Sequence, residues 1–407
     1  MDFKSKLKVY KDVALRPVSA TGMLVKHRRT LGYLIRKRKF KQLYNFVFVT
    51  YFVRGEDCGK GVLDPVWKFF PQLTPYLWDI EAELTTSCYL RCIHCEHTHW
   101  KDNSYRNQNV KFEQFKGVID SLPNLKWANV TGEGSPFLNP DFRKVVKYLK
   151  EKNIYVDFSH DFFYMTDEIA RELIGLGVER IYHSIDGASK ETYEKVRVGS
   201  NFERVVTNIK RFIELKKEMN SPLPEICFRM AVFKENAHEV EKLIDLIHTF
   251  GDSKDIGDDP SVNIVGLLEF DDTKSMVSEI PRETIDRVNA KAKKYGLTVY
   301  WSHVSHIAEK KAPLEYCVNW TEPYVMIRGH VVPCCAVMMS DNREFLEKNA
   351  FGNTYQKPLK EIWNSARYRR FRKMVVDPKG KVPLLCVGCR AYDTVARAKK
   401  YGVDKEV

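Results

Sequence analysis

The sequence predicts an α/β fold: a partial (β/α)6, TIM-like barrel followed by a small C-terminal α+β hairpin/helix domain. Strand-like segments with period-two alternation and helix-like segments succeed each other six times, a pattern typical of parallel βαβ units. A cysteine-rich loop follows the first strand, at the strand end where barrel chemistry collects. After Cys317 the alternation stops, and a hairpin-like segment and a CxxC motif follow.

The composition is that of an ordinary globular protein. The 407 residues, 44% hydrophobic and 29% charged, are enough for two domains with separate cores. We predict three regions: a basic N-terminal extension (1–75), a barrel (76–305) and a C-terminal domain (306–407). The first residues, MDFKSKLKVYKDV, lack the apolar segment of a signal peptide, so we expect a cytoplasmic location. In that reducing compartment, clustered cysteines indicate metal ligands and not disulfides.

The formal charge of +13 is concentrated near the N-terminus. Residues 1–60 contain 15 Lys or Arg and 4 Asp or Glu, a net of +11, which leaves +2 for the rest. Residues 42–53 are uncharged and aromatic, but they are too few for a membrane span of about 20 residues. Three interpretations stay open: helices that cover the barrel, peripheral contact with an anionic membrane, or nucleic-acid contact. The nearly neutral core, which has no visible RNA-binding module, argues against a nucleic-acid substrate.

The elements follow in a regular order. Six strands are predicted within YLWDIEAELTTS, LKWANVTGEG, NIYVDFSHD, VERIYHSIDG, EICFRMAVF and SVNIVGLLEF. Helices are predicted at Phe112–Asp120, 140–152, Asp167–Leu176, 202–219 and 237–249. Gly177 suits a helix C-terminus. A further helix and strand lie within TIDRVNAKAKKYGLTVYWSHV, and YVMIRGHVVP predicts a hairpin with Gly329 at its turn.

The loop after the first strand contains Cys88, Cys92 and Cys95 in a CxxxCxxC motif. A [4Fe–4S] cluster is usually held by four cysteines, so three would leave one iron open to a ligand. A structural zinc site, the alternative, usually takes four protein ligands.

This spacing, with His94 before the last cysteine, resembles the radical S-adenosylmethionine (SAM) superfamily. The resemblance implies that the open iron binds SAM and that one-electron reduction yields a 5′-deoxyadenosyl radical. TGEGSPFLNP resembles the GGEP motif of the family, although Thr131 replaces its first glycine. Gly132 would let the backbone approach SAM, and the Glu133 carboxylate would accept hydrogen bonds from its ammonium group.

The segment from Ser184 to Gly187, with Arg197 further on, resembles the SxDG…R arrangement of the same family. By this resemblance, Ser184 and Arg197 hold the carboxylate of SAM, and Asp186 shapes the strand end beside the ribose. Strand ends at 233–236 and 265–269 would flank the adenine.

His160 and Asp161 end the third predicted strand. They could face a substrate, and the alternative is a histidine that is satisfied within a loop. No residue is assigned as a catalytic acid or base.

The C-terminal region resembles the SPASM/twitch domains that follow many radical SAM barrels. No cysteine follows Cys389, so the resemblance implies a single auxiliary [4Fe–4S] cluster. Its predicted ligands are Cys317, Cys334, Cys386 and Cys389, with Cys335 as an alternative to Cys334. A structural zinc in the same cage is the competing interpretation.

The sequence therefore predicts a radical SAM oxidoreductase or modifying enzyme. We expect hydrogen abstraction from a peptide or protein, for a net oxidation or cross-link, with a ferredoxin or flavodoxin as the reductant. Oxidation of a small molecule, sugar or lipid-linked substrate is the alternative. An iron–sulfur electron carrier or zinc-stabilised interaction protein is the alternative of another class.

Overall fold

A computed structural model describes residues 22, 24–54, 77–267, 273–302, 304, 317, 322–335, 342–377, 379–387, 389 and 394–407. The predicted region boundaries near residues 75 and 305 lie outside these ranges, and so does the end of the segment 265–269.

One large sheet organises the barrel. Its strands β1–β7 are parallel, and each pairs with the next one along the chain. The bounds are β1 Asp79–Ala82, β2 Trp127–Asn129, β3 Tyr155–His160, β4 Arg180–Ser184, β5 Glu225–Val232, β6 Ser261–Gly266 and β7 Thr298–Ser302. The predicted α/β class and partial barrel are confirmed. The strand that follows the six predicted units adds a seventh parallel strand to the same sheet.

The helices lie N-terminal to the barrel and between its strands. Their bounds are α1 Arg28–Arg36, α2 Phe40–Val47, α3 Phe112–Asp120, α4 Phe142–Glu151, α5 Asp167–Leu176, α6 Lys190–Val196, α7 Phe202–Glu218, α8 Val240–His248 and α9 Arg282–Lys294. Gly177 ends α5 in the left-handed region at φ 72°, as a C-terminal glycine should. Helix α6 was not predicted from the sequence.

The barrel strands have two different faces. On β5, Ile226, Phe228 and Met230 are fully buried in the apolar core that includes the helices. Because side chains alternate along a strand, Cys227 and Arg229 lie on the opposite side. We call that side the inner face of the sheet, and it carries most of the polar side chains of the barrel.

The C-terminal hairpin continues the barrel sheet. Strand β8 (Tyr324–Val325) pairs in parallel with β1, and β9 (Val331–Val332) pairs antiparallel with β8. Gly329 lies at the predicted turn with φ 81°. The remaining elements are α10 Arg343–Asn349, α11 Leu359–Trp363, α12 Ala366–Val375, β10 Val382–Pro383, α13 Thr394–Tyr401 and β11 Val403–Asp404. The hairpin was predicted, but its pairing with β1 was not.

Helices α1 and α2 cover the N-terminal ends of the strands. Leu34 and Phe46 are buried with Trp127 of β2 and Tyr155 of β3 in a separate apolar cluster. The Phe46 and Tyr155 rings stack with centroids 6.0 Å apart. A π-helix, Phe48–Arg54, follows α2. In the part of the chain that the structure describes, no helix has both the length and the apolar character to cross a membrane.

Candidate functional site

The cysteine loop, residues 88–95, is held against the C-terminal end of α6 by backbone hydrogen bonds. The amide of Arg91 donates to the carbonyl of Val198 over 2.9 Å, and the amide of Ile93 donates to the carbonyl of Val196 over 3.0 Å. These acceptors lie at and just after the C-terminus of α6. The loop therefore has a fixed backbone at the C-terminal ends of the strands.

The three thiols of this loop are free and at least half-buried. Burial raises the pKa of Cys88 and Cys95, and it raises the pKa of Cys92 to about 12. The charge of the Arg197 guanidinium acts in the opposite direction on the pKa of Cys88 and Cys92. Three soft donors on one short loop, beside a fixed cation, fit a [4Fe–4S] cluster with one iron left open.

The GEG loop after β2 packs against the exit from β1. A Cβ on Gly132 would lie 2.4 Å from Cγ of Glu83, and one on Gly134 would lie 2.6 Å from the carbonyl oxygen of Thr85. The amide of Gly134 also donates to that carbonyl over 3.2 Å. Both positions therefore require glycine, because a side chain would push the loop away from the start of the cysteine loop.

The Glu133 side chain faces the cysteine loop. Its carboxylate, the carboxylate of Glu96 and the Cys95 thiol have atoms within 4.8 Å of one another. Burial raises the pKa of Glu133 well above its usual range, and the neighbouring carboxylate of Glu96 raises it further. The Glu133 amide donates to Glu83 over 3.2 Å, which fixes the backbone of the loop.

Asp186 orients Arg197. Its Oδ2 accepts from Nε of Arg197 over 2.7 Å, and its Oδ1 accepts from the amide of Ala231 on β5 over 2.8 Å. Although burial alone would raise the pKa of Asp186, Arg197 holds it below its usual range. The next residue, Gly187, leaves no room for a Cβ, which would lie 2.5 Å from the amide nitrogen of Tyr193. The SxDG segment thus joins β4, β5 and α6.

An apolar cluster borders the cysteine loop at the strand ends. Val196, Phe233 and Leu267 are buried there, and Ile93 packs against them. The His94 ring lies 5.1 Å from the Phe233 ring. Phe233 and Leu267 belong to the two strand-end segments expected to flank an adenine.

His160 does not face the candidate site, so that interpretation was wrong. Its ring stacks on Phe137 at 3.8 Å, and Nδ1 accepts from the amide of Phe162 over 2.9 Å. Burial lowers the pKa of His160 to about 4, which favours the neutral ring. The sequence of β3 could have predicted this, because His160 lies on the same face of the strand as the buried Val156 and Phe158. Asp161 instead accepts a hydrogen bond from the hydroxyl of Tyr89 in the cysteine loop.

Three of the four C-terminal cysteines lie in the main apolar core. Cys317, Cys334 and Cys386 are buried there, Cys389 is half-buried, and none of the four is in a disulfide. Burial raises the pKa of Tyr368, and the charges of Cys334 and Cys386 both add to that rise. Four thiols, three of them in the core, fit an iron–sulfur cluster.

Cys335 has a carboxylate neighbour. Burial raises its pKa, and the nearby carboxylate of Glu81 on β1, which shares a hydrogen bond with the thiol, raises it further.

Three further residues near the site were missed from the sequence. Glu83 is the last of three acidic residues that alternate with apolar residues along and just after β1, and Arg229 is a charged residue within the mostly apolar β5. Both could therefore have been noticed in the local sequence. Arg343 carried none, because it reaches Glu83 only through the tertiary fold.

Family comparison matches two parts of the chain. The radical SAM superfamily matches residues 82–247, and the SPASM iron–sulfur cluster-binding domain matches residues 317–390. These domains imply a [4Fe–4S] cluster, SAM and an auxiliary iron–sulfur cluster, and the donor groups described above fit all three.

Two relatives align along most of the chain. One is the tungsten-containing aldehyde ferredoxin oxidoreductase cofactor-modifying protein of Pyrococcus furiosus, 25% identical over 79% of this chain and 90% of its own. The other is the AdoMet-dependent heme synthase of Methanosarcina barkeri, 25% identical over 77% of this chain and 90% of its own.

A solved structure shares the fold. Streptococcus suis SuiB, bound to the precursor peptide SuiA, superposes with a TM-score of 0.57 at 10% identity, covering 88% of this chain and 82% of SuiB. The two family matches show that the chain belongs to the radical SAM superfamily and carries a SPASM domain after its barrel.

Proposed function

We propose that this enzyme abstracts a hydrogen atom from a peptide or protein substrate, for a net oxidation or cross-link. The observation that carries the proposal is the cysteine loop fixed at the mouth of the barrel, beside Arg197 and the GEG loop. With cluster and SAM bound, the site would supply one-electron cleavage of SAM to a 5′-deoxyadenosyl radical that removes the hydrogen atom.

In this proposal the protein holds the cluster and SAM in a fixed position relative to each other. Cys88, Cys92 and Cys95 ligate the cluster through a loop whose backbone is already fixed. Glu133 accepts from the ammonium group of SAM, supported by the position of its carboxylate beside Cys95.

The carboxylate of SAM is assigned to two donors. Ser184 presents its hydroxyl, and Arg197 presents the guanidinium nitrogens that Asp186 leaves free. Asp186 therefore acts by orienting Arg197. Gly132 allows close approach of the backbone, and the apolar cluster around Phe233 provides a surface for the adenine.

An auxiliary cluster on Cys317, Cys334, Cys386 and Cys389 is the second part of the proposal. Cys334 is favoured over Cys335 as the ligand, because Cys334 is buried in the same core as Cys317 and Cys386, whereas the Cys335 thiol shares a hydrogen bond with Glu81. Its role would be to pass an electron from the substrate to an acceptor, which a net oxidation requires. A ferredoxin or flavodoxin would exchange electrons with the enzyme.

The comparisons give some support to each of the two candidate substrate classes, a peptide and a small molecule. A peptide is favoured because SuiB, which shares the fold, was solved with its precursor peptide. A small molecule is favoured by the names of the two relatives, a cofactor-modifying protein and a heme synthase. We retain the peptide or protein as the main proposal and the small molecule as the alternative.

A deuterium-transfer experiment separates these two candidates. Source cells are grown in deuterated medium, and their extract is divided into a peptide and protein fraction and a small-molecule fraction. Each is incubated with reconstituted enzyme, unlabelled SAM and dithionite. Deuterium in 5′-deoxyadenosine from the first fraction alone supports the proposal, whereas deuterium from the second fraction alone refutes it in favour of the small-molecule alternative. Cys92→Ala is the control that should transfer none.

The location of the enzyme is proposed as cytoplasmic, with peripheral contact at an anionic membrane through the N-terminal helices. Their inward side covers the barrel, as one interpretation of the sequence held. Their outward side still exposes Ile35, Phe40 and Tyr44 to solvent. Residues 24–54 include nine Lys or Arg and no Asp or Glu, which suits an anionic surface.

A further inference from the structure

Three polar side chains form a continuous row on the inner face of the sheet. Ser184 of β4 pairs in register with Arg229 of β5, and Arg229 pairs with Asn263 of β6. All three are half-buried, while Phe228 and Met230 on the other face are fully buried. Neighbouring strands lie about 4.8 Å apart, so the row is short enough for one small group to span two of its members.

The row has no side-chain hydrogen bond or ion pair to any residue in the described ranges. The Arg229 guanidinium contacts the Tyr182 ring, with its central carbon 4.5 Å from the ring centroid. Its Nε is buried without a hydrogen-bond partner. Burying part of a guanidinium without an acidic partner costs free energy. A carboxylate that binds it through two hydrogen bonds offsets that cost.

Two other charged groups of the barrel are already paired. Arg180, also on the inner face, forms an ion pair with Glu225 over 2.9 Å. Glu83 is paired with Arg343, so this carboxylate is not free to serve Arg229. Arg229 is thus set apart from Arg180 by the lack of an acidic partner among the described residues.

Arg197 and Arg229 have different surroundings. Arg197 is oriented by Asp186, and its charge acts on the thiols of Cys88 and Cys92. Arg229 lies on β5, in register with Ser184 of β4 and Asn263 of β6. Because Arg229 has no carboxylate partner among the described residues, it is available to a second ligand.

We propose that Arg229, assisted by the Asn263 amide, binds a carboxylate of the substrate and so sets which C–H bond faces SAM. The inference rests on the proposed function, and it adds that the substrate carries a carboxylate near the reacting carbon. Asp or Glu side chains would supply it in a peptide. The role of Arg229 is recognition of the substrate.

The test compares Arg229→Met with Arg180→Met in the reconstituted full-length enzyme. Arg229→Met should cut deuterium transfer from the labelled peptide and protein fraction by about tenfold or more, because a charge-assisted contact is lost. Its SAM cleavage with dithionite alone should remain within about twofold of the wild type. Amidating the carboxylates of the labelled fraction with a carbodiimide should reduce transfer by the wild-type enzyme to a similar extent.

Thermal unfolding without substrate is the second readout. Removal of an unpaired guanidinium should leave the Tm unchanged or raise it, whereas Arg180→Met should lower the Tm by stranding Glu225. A fall in SAM binding by Arg229→Met, a Tm loss like that of Arg180→Met, or equal transfer from amidated material would each overturn the proposal. Failure of the wild type to take deuterium from either fraction would instead refute the proposed function, and the Tm comparison would then decide whether Arg229 is a structural residue.

Discussion

Arg343 donates a hydrogen bond from each of its two terminal nitrogens to the Glu83 carboxylate. Nη1 lies 2.8 Å from Oε2, and Nη2 lies 2.7 Å from Oε1. Both side chains are essentially removed from solvent, at 1% and 0% exposed. Glu83 also accepts from the amides of Glu133 and Ile327. One carboxylate after β1 therefore connects the GEG loop, the C-terminal hairpin and helix α10.

Breaking this pair is expected to destabilise the protein strongly. Arg343→Met leaves the Glu83 charge buried without its cation, which costs about 3–5 kcal/mol. Denaturant unfolding of the cluster-free protein measures the loss. The double variant Glu83→Gln/Arg343→Met removes the stranded charge and should recover part of it. A single variant with wild-type stability would show that the pair does not join the two regions.

The ligand assignment at the auxiliary site predicts different effects for mutation of the adjacent residues Cys334 and Cys335. Cys334→Ala should lower the iron content by about four atoms per chain, because it removes one of the four cysteines that usually hold such a cluster. Cys335→Ala should keep the wild-type iron content, because its thiol is directed toward Glu81. Iron and zinc analysis after anaerobic purification measures both. Zinc in the wild type with only about four irons per chain would contradict an auxiliary iron–sulfur cluster.

The GEG loop should not tolerate a side chain at Gly134. In Gly134→Ala the new Cβ meets the Thr85 carbonyl oxygen at 2.6 Å, so the loop must move and the SAM dissociation constant should rise about tenfold. Gly117→Ala is the matched control, because a Cβ there meets nothing within 4 Å on helix α3. It should leave SAM binding unchanged and stabilise the helix by up to about 1 kcal/mol. Equal SAM affinity in both variants would remove the loop from the binding site.

Membrane contact is tested with the exposed aromatic residues of α2. The double variant Phe40→Ser/Tyr44→Ser should float less with vesicles containing phosphatidylserine, and added salt should weaken binding of the wild type. Tyr355→Ser removes a similarly exposed tyrosine outside the N-terminal helices and should bind as the wild type does. Unchanged flotation of the double variant, or equal binding to neutral vesicles, would contradict the membrane proposal.

Local patterns predicted most of the barrel. The helix Phe112–Asp120 was predicted with the bounds it has, and Gly177 ends α5 as expected. The hairpin turn at Gly329 is also where the sequence indicated. These features depend on period, caps and turn residues, which lie within a short window of sequence.

The connections between distant segments were not predictable in this way. Pairing of β8 with β1 and the contact of Arg343 with Glu83 join segments about 240 to 260 residues apart, and no local pattern specifies such a partner. The alternation of side chains between the two faces of a strand can be read from the sequences of β3 and β5. It would have placed His160 on the helix side of the sheet and Arg229 on the inner face. The site was therefore predictable in its motifs and less so in the contacts that hold them.

The central claim is that the three thiols of the cysteine loop hold a cluster that cleaves SAM. The direct measurement is 5′-deoxyadenosine formed by anaerobically reconstituted protein with SAM and dithionite, beside Cys92→Ala and the control Cys227→Ala. We expect product from the wild type and from Cys227→Ala, whose thiol instead accepts from the Ser261 hydroxyl, and none from Cys92→Ala. A wild type that carries its full iron and sulfide but forms no 5′-deoxyadenosine would contradict the account.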